Sequence, residues 1–417
     1  MPSKKALSLT AMAAALALGL TACGGGGGGG NDGGEGDPLQ FGYVFPETGD
    51  LSFLGPPQIS AAKYAIQEIN EAGGVLDQEL PGILAGDEAN DAAQANDAAG
   101  RLLDQDVDAV LGAAASGMTM AIIDRVTGAE VVQCSGSNTA PDLSTYDDGG
   151  YYFRTAPSDL LQGPVLGQKV VDDGNQSVAV VYRADDYGQG LAESVATSLE
   201  ENGAEVVLNE SYDPMGTNFD SVIQQVSNSD ADAVVMVSFE EGVQIITGLI
   251  EEGMEPSQMY SADGLNNENL GELVDSGDPG VVSGFQGTAP GVDNPEFDEG
   301  LTEFDPDLEV FQYAPQVYDC AMVIALAAEA AESTDPAVYV DQMTAVTQGD
   351  EQCTGFAECR DILAEGGTVD YQGASGPLDF DENGDVTVAS IMIYGFAEDG
   401  THEAQDFVET TPEGTVE

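Results

Sequence analysis

The chain has 417 residues, with 75 Asp and Glu against 9 Lys and Arg and a formal net charge of −66. So acidic a surface repels nucleic acid and anionic lipid headgroups, which excludes both as partners of the folded body. Hydrophobic residues make up 42% of the chain and the acids are scattered rather than blocked, the composition of a folded protein and not of a disordered acidic tail.

Lys4 and Lys5 precede an apolar run over residues 11–20, too short for a membrane span and suited to a secretory signal. The run ends in Leu20-Thr21-Ala22-Cys23, which resembles a bacterial lipobox. Cleavage before Cys23 and diacylation of its thiol are therefore expected, each buried methylene contributing about 0.8 kcal/mol to membrane attachment. Residues 1–22 form the predicted lipoprotein signal peptide, and residues 23–37, nearly all glycine with Asn, Asp and Glu, a predicted flexible tether. The mature protein is expected outside the cell, lipid-anchored to the outer face of the membrane.

About 380 residues beyond the tether exceed one typical core, so two lobes are expected. Apolar runs at Leu39–Phe45, Ala109–Leu111, Val131–Gln133, Val178–Tyr182, Val206–Leu208, Ala233–Val237 and Val281–Phe285 predict strands buried on both faces. Between them lie residues at helical spacing, such as Ile59, Ala62, Ile66 and Ile69, closed by Gly73-Gly74 as a C-cap. The alternation predicts an α/β fold with parallel sheets and helices on both faces. The pattern restarts after Phe153–Asp159, and late helices are expected over Tyr313–Ala331 and Pro336–Val346. In an exported protein disulfides persist. Cys353 and Cys359 can close a small loop worth about 2–2.5 kcal/mol; Cys134 and Cys320 remain, their pairing open.

Catalytic and metal chemistry finds little support. His402 is the only histidine, none of the four lysines follows a glycine, and Gly188-x-Gly190 lacks the third glycine of a dinucleotide loop. Asp379–Asp385 begins like a calcium loop, but Ser390 stands where a bidentate Glu is required, and a turn at Asn383-Gly384 is the better account. Ser116 has no base in view to activate it, so an amidase is disfavoured. No cofactor and no metal are expected. The chain instead carries parts suited to a zwitterion: Ser116, Gly117 and Thr119 at a predicted helix start, where free amides and a hydroxyl hold a carboxylate, and a small polar loop at Cys134–Ser144.

At these stretches the chain resembles the periplasmic binding proteins that deliver branched-chain amino acids to ABC transporters. The resemblance runs over residues 39–396, through Ala65–Leu80, Tyr152–Gly163, Asp185–Ser194, Tyr260–Gly264 and Asp370–Asp385. It implies the type 1 fold: two Rossmann-like lobes, parallel sheets flanked by helices, and a three-crossing hinge. The N-terminal lobe would take residues 38–155 and 288–373, the C-terminal lobe residues 156–287 and 374–417. By the same resemblance the Ser116 hydroxyl, the Gly117 amide and Thr139 hold the ligand carboxylate, and Ser137 offers main-chain groups to the ammonium. Tyr187 and Phe239 cover the ligand, and Asp263 pairs with the ammonium. Leu54 stands where amino-acid binders often carry an aromatic ring. The implied protein is a monomer that hands a small aliphatic amino acid to membrane permease subunits. Relatives that take urea, short amides or carboxylic compounds, and sensors of the same fold, are the alternatives.

Self-repulsion among the acids requires screening, and the scarcity of lysine fits a salty exterior, as in halophilic proteins. The unfolding midpoint of the purified protein should therefore rise between low and molar salt; equal midpoints would contradict the expectation.

Overall fold

A computed structural model describes residues 37–412 and 414–415; the predicted signal peptide, Cys23 and the tether up to residue 36 lie outside the described residues. Four short strands, β1 (Phe41–Val44), β2 (Ala109–Gly112), β3 (Val132–Ser135) and β4 (Tyr152–Arg154), pair in parallel in the order 1-2-3-4. Every residue in them is buried, as a sheet covered by helices on both faces demands. Parallel bridges from Gly42 to Leu84 and from Phe45 to Asp87 add an edge segment on the far side of β1. Strand order therefore reverses between β1 and β2, and the carboxyl ends at such a reversal form a natural ligand crevice.

A second sheet continues with β5 (Ser177–Arg183), β6 (Glu205–Tyr212), β7 (Ala233–Val237), β8 (Met259–Ser261) and β9 (Gln286–Pro290). The chain then builds three short strands on the first lobe, β10 (Glu351–Cys353), β11 (Val369–Gly373) and β12 (Gly376–Pro377). It returns with β13 (Ala389–Phe396), β14 (His402–Thr411) and β15 (Gly414–Thr415). The eight-stranded order is 15-14-13-9-8-7-5-6. The parallel sheet expected here is thus only part of the second lobe, because β13, β14 and β15 are antiparallel additions.

Three elements depart from the sequence reading. The apolar run Val281–Phe285 is not a strand: Pro279–Val282 form a 3-10 turn, Gly284 takes φ +87°, and the strand follows at β9. Its burial comes from packing under β13 instead, Gly284 N–H donating to the Phe396 carbonyl. Residues 336–346 form only a helical turn at Pro336–Tyr339 and a 3-10 turn at Val340–Gln342, in keeping with the poor helix propensity of Val338, Tyr339 and Val340. The passages between lobes fall later than residues 288 and 374: Thr288–Pro290 pair with β13, while Leu378, Phe380 and Val386 pack in the first core.

Disulfides tie the first lobe together. Cys134 in β3 joins Cys320 in the helix Ala314–Ala331, 186 residues away, and Cys353 joins Cys359. At the end of β4 the fully buried Arg154 donates to both Asp385 oxygens at 2.6 and 2.9 Å, to the Ala140 carbonyl at 2.9 Å and to Ser144 Oγ at 2.7 Å. One guanidinium thus joins the end of β4, the polar loop after β3 and the return passage. Removing one partner of a buried pair leaves the other charge unmatched, so Arg154→Ala should lose about 3–5 kcal/mol of unfolding free energy in urea; a loss under about 1 kcal/mol would show that water replaces the guanidinium.

Candidate functional site

The helix Ser116–Thr127 follows β2 directly, and its N-cap, Ala115, carries no side chain that can cap. Its first amides, including those of Ser116 and Gly117, precede the first intrahelical bonds and face the crevice end of the sheet. Ser116 Oγ accepts from the amides of Thr139 and Ala140, both at 3.2 Å, which leaves its proton free to be donated elsewhere. Thr139 Oγ1 is buried without a hydrogen-bond partner. Ser137 donates its hydroxyl to Gln58 Oε1 at 2.9 Å and to the Ala114 carbonyl at 3.2 Å, so its side chain is committed to holding the loop.

Opposite stand residues from the strand ends of the second sheet. Tyr187 opens the helix after β5, Phe239 follows β7 and Asp263 follows β8. Tyr187 and Phe239 stack at 5.2 Å between ring centres, and the Arg183 guanidinium lies 3.5 Å over the far face of Phe239. Arg183 is itself paired with Asp185 at 2.5 Å and Glu241 at 2.9 Å, so the aromatic wall rests on a fixed cation. Asp263 accepts from Gln162 Nε2 at 3.0 Å, the Tyr187 hydroxyl at 3.0 Å and the Tyr313 hydroxyl at 2.7 Å. Burial pushes its carboxyl up, and these three donors oppose the shift. Burial first, and then the Asp263 charge, raises both tyrosine hydroxyls, which keeps them protonated donors.

Ser116, Ser137, Thr139, Tyr187, Phe239 and Asp263 line one cavity, together with Leu51, Leu54 and Tyr313. Its accessible volume is only about 20 Å³. Gly117 does not line it: a side chain there would point toward Asp186 Oδ2, so only its amide is available to the crevice.

Four participants were not singled out from the sequence. Asp159 is fully buried beside Thr139, its amide donating to the Thr139 carbonyl at 2.8 Å; burial first and then the Asp263 charge drive its carboxyl well above the ordinary range, and the Thr139 hydroxyl and Arg154 oppose the shift. Asp159 and Gln162 both lie in the stretch Tyr152–Gly163, where the pattern of elements restarts, and nothing in the sequence marks either as a site residue. Tyr313 adopts φ +63°, unusual for a bulky residue, just before Pro315 in the helix Ala314–Ala331. Gln312 donates its Nε2 to the Asp263 carbonyl at 2.9 Å. No local pattern marks residues 312 and 313, since their role depends on a partner some 50 positions away. Among the described residues no group of three or more His, Cys, Asp or Glu can hold a metal. In the calcium-like loop Asp381 Oδ1 accepts from the amides of Asn383 and Asp385, and Asp385 is paired with Arg154.

The family model described as periplasmic binding protein matches residues 38–382. The leucine-, isoleucine-, valine-, threonine- and alanine-binding protein of Pseudomonas aeruginosa is 23% identical over 369 residues, covering 88% of this chain and 91% of the relative. Among solved structures, a branched-chain amino acid transporter substrate binding protein of Streptococcus pneumoniae, in complex with isoleucine, superposes with a TM-score of 0.71 at 22% identity, over 89% of this chain and 100% of that one. A solute binding protein of R. palustris in complex with 4-hydroxybenzoate gives a TM-score of 0.70 at 16% identity, over 89% and 97%.

Glu88 lies behind the start of the helix that carries Ser116. It is fully buried and accepts from the amides of Ala114 at 2.7 Å and Ala115 at 3.2 Å, fixing the segment between β2 and its helix. Burial pushes its carboxyl up to about 8. In the unfolded chain a glutamate titrates near about 4.3, so between those values the folded state holds a proton that the unfolded state has released. The stability this group contributes is full below that window and is lost as pH rises through it. Glu88→Gln, neutral throughout, should lose less unfolding free energy than the parent between about pH 5 and pH 8; equal slopes would show that Glu88 is ionised in the fold.

Proposed function

The chain belongs to the periplasmic binding protein family, and from that membership we propose that it captures a small aliphatic α-amino acid between its lobes and hands it to the permease subunits of an ABC transporter. The carrying observation is the placement of donors and acids on opposite sides of one cavity. Ser116, Thr139 and an uncapped helix start face Asp263 across it. A carboxylate fits the first set and an ammonium the second. Charge-assisted contacts of this kind contribute roughly 1.5–3 kcal/mol each. Leu51, Leu54 and the Tyr187–Phe239 pair leave an apolar wall for a side chain without charge. Anchoring through Cys23 would keep the body near its permease.

The cavity admits little more than a water, so a solute enters when the lobes part, and its contacts to both lobes favour reclosure. Ligand shifts that equilibrium only by its preference for the closed form. The 4-hydroxybenzoate complex of a relative raises the rival of an aromatic acid. Two buried carboxyl groups oppose it, because such a ligand brings negative charge and no ammonium.

Calorimetric titration with the twenty amino acids, urea, short amides and benzoates tests the reading. Valine, leucine or isoleucine should bind; Asp263→Ala should abolish that binding with the fold intact, and Asp159→Asn should weaken it by about ten- to a hundredfold. Binding of benzoate or urea alone, or amino-acid affinity unchanged in both variants, would overturn it.

A further inference from the structure

A second cavity shares Tyr313 with the first and is larger, giving water centres about 490 Å³. Its floor is the antiparallel pair of β13 and β14. Strict alternation would place Phe407 on the opposite face from Ala404 and His402. The register instead shifts between Ile393 and Tyr394: Met392 pairs with Phe407, Tyr394 with Ala404 and Phe396 with His402, and Gln405 is left over as a bulge. That one extra residue turns Phe407, Ala404 and His402 toward the same side, the kind of re-aiming for which bulges serve near binding sites. Phe407 and Met392 then line the cavity, opposite Phe311.

The lining is charged in one sense only. Glu268, Asp293 and Asp298 contribute to it, and no lysine or arginine does. Gln316 also lines it, is 4% exposed, and its Oε1 is buried with no hydrogen-bond donor. An apolar floor, carboxylates of one sign and an unmatched acceptor together suit a ligand that pairs a hydrocarbon body with N–H donors and positive charge.

The cavity also bears on the cleft. His402 Nε2 donates to Asn266 Oδ1 at 2.7 Å, Asn266 Nδ2 donates to Gln312 Oε1 at 3.0 Å, and Gln312 Nε2 donates to the Asp263 carbonyl at 2.9 Å. This chain of hydrogen bonds runs from the cavity to the back of the cleft acid. Its walls come from both lobes: Asp298 belongs to the helix Pro295–Phe304, which packs on the first core, and Met392 and Phe407 belong to the second sheet.

We propose that this cavity is an accessory binding site for an organic ammonium ion with an aromatic or aliphatic body, and that its occupant, touching both lobes, favours the closed form. The site is independent of which solute the main cleft takes.

Phenethylammonium chloride titrated calorimetrically into the full chain tests it. Binding should persist within about threefold in Asp263→Asn, fall at least about tenfold in Glu268→Gln/Asp298→Asn, and vanish in Ala404→Trp, whose indole fills the cavity from an exposed strand position. Scattering from Asp263→Asn should show the radius of gyration falling as the probe saturates. No binding to the parent chain would overturn the site. So would loss in Asp263→Asn with the cavity variants unaffected, which would place the probe in the cleft. Binding with an unchanged radius would overturn the coupling to closure. The amino-acid titration of the parent chain reads a different ligand, so failure of either reading leaves the other measurable.

Discussion

The structure turns on two fully buried carboxyl groups, one lining the cleft and one just behind it. Asp159 and Asp263 form no ion pair, and each is raised by loss of solvent. Asp263 is matched by two tyrosine hydroxyls and an amide, whereas Asp159 has only the Thr139 hydroxyl beside it. On the proposed reading an incoming ammonium offsets the cost of ionising a buried acid, so closing the lobes and supplying a positive charge are energetically one event.

Topology explains why these groups meet. In the first sheet the strand order reverses beside β2, and the helix Ser116–Thr127 starts there; in the second it reverses beside β5, where the helix bearing Tyr187 starts. Carboxyl ends of parallel strands at a reversal have no crossover to cover them, so two such sheets facing each other enclose a crevice that backbone amides and short side chains can reach. The parts behind the walls are stiff. Arg154 fixes the loop that presents Thr139, Arg183 backs Phe239, and Glu88 holds the segment before Ser116. Each restrains a wall without touching its cavity face, so that the lobes can separate as bodies while the walls keep their shape.

Much of this was legible in the sequence because it is local. Fully buried strands appear as unbroken apolar runs, and the strand-end loops at Ser116 and Thr139 appear as small polar stretches directly after them. The failures share a cause. Val281–Phe285 is as apolar as a strand, but its burial comes from β13, more than a hundred residues later, and Gly284 bends it into a turn. Tyr313 and Gln312 have no periodic signature, and their function arises only when the return passage lays them against Asp263. Asp159 was visible as an acid in a recognisable motif, yet a solvated acid and a buried one look alike until the packing around them is known. The pairing of Cys134 with Cys320 likewise depends on the helix Ala314–Ala331 packing against β3.

The scarcity of basic residues sharpens the selectivity argument. With 9 Lys and Arg in the whole chain, the two most buried guanidinium groups, Arg154 and Arg183, are both engaged by carboxylates at structural joints, and neither lines the cleft. A free anion approaching this molecule meets a repulsive field outside and finds no cationic side chain within. The zwitterion proposed as ligand is neutral as a whole, so the field would neither draw nor reject it but would orient it, ammonium inward. Its carboxylate is then met by hydroxyls and helix amides, which supply partial positive charge without introducing a lysine or arginine that would neutralise Asp159 or Asp263 in advance. In so acidic a chain, meeting a carboxylate with backbone dipoles rather than a cation would keep the opposite wall free for the ammonium of the proposed ligand.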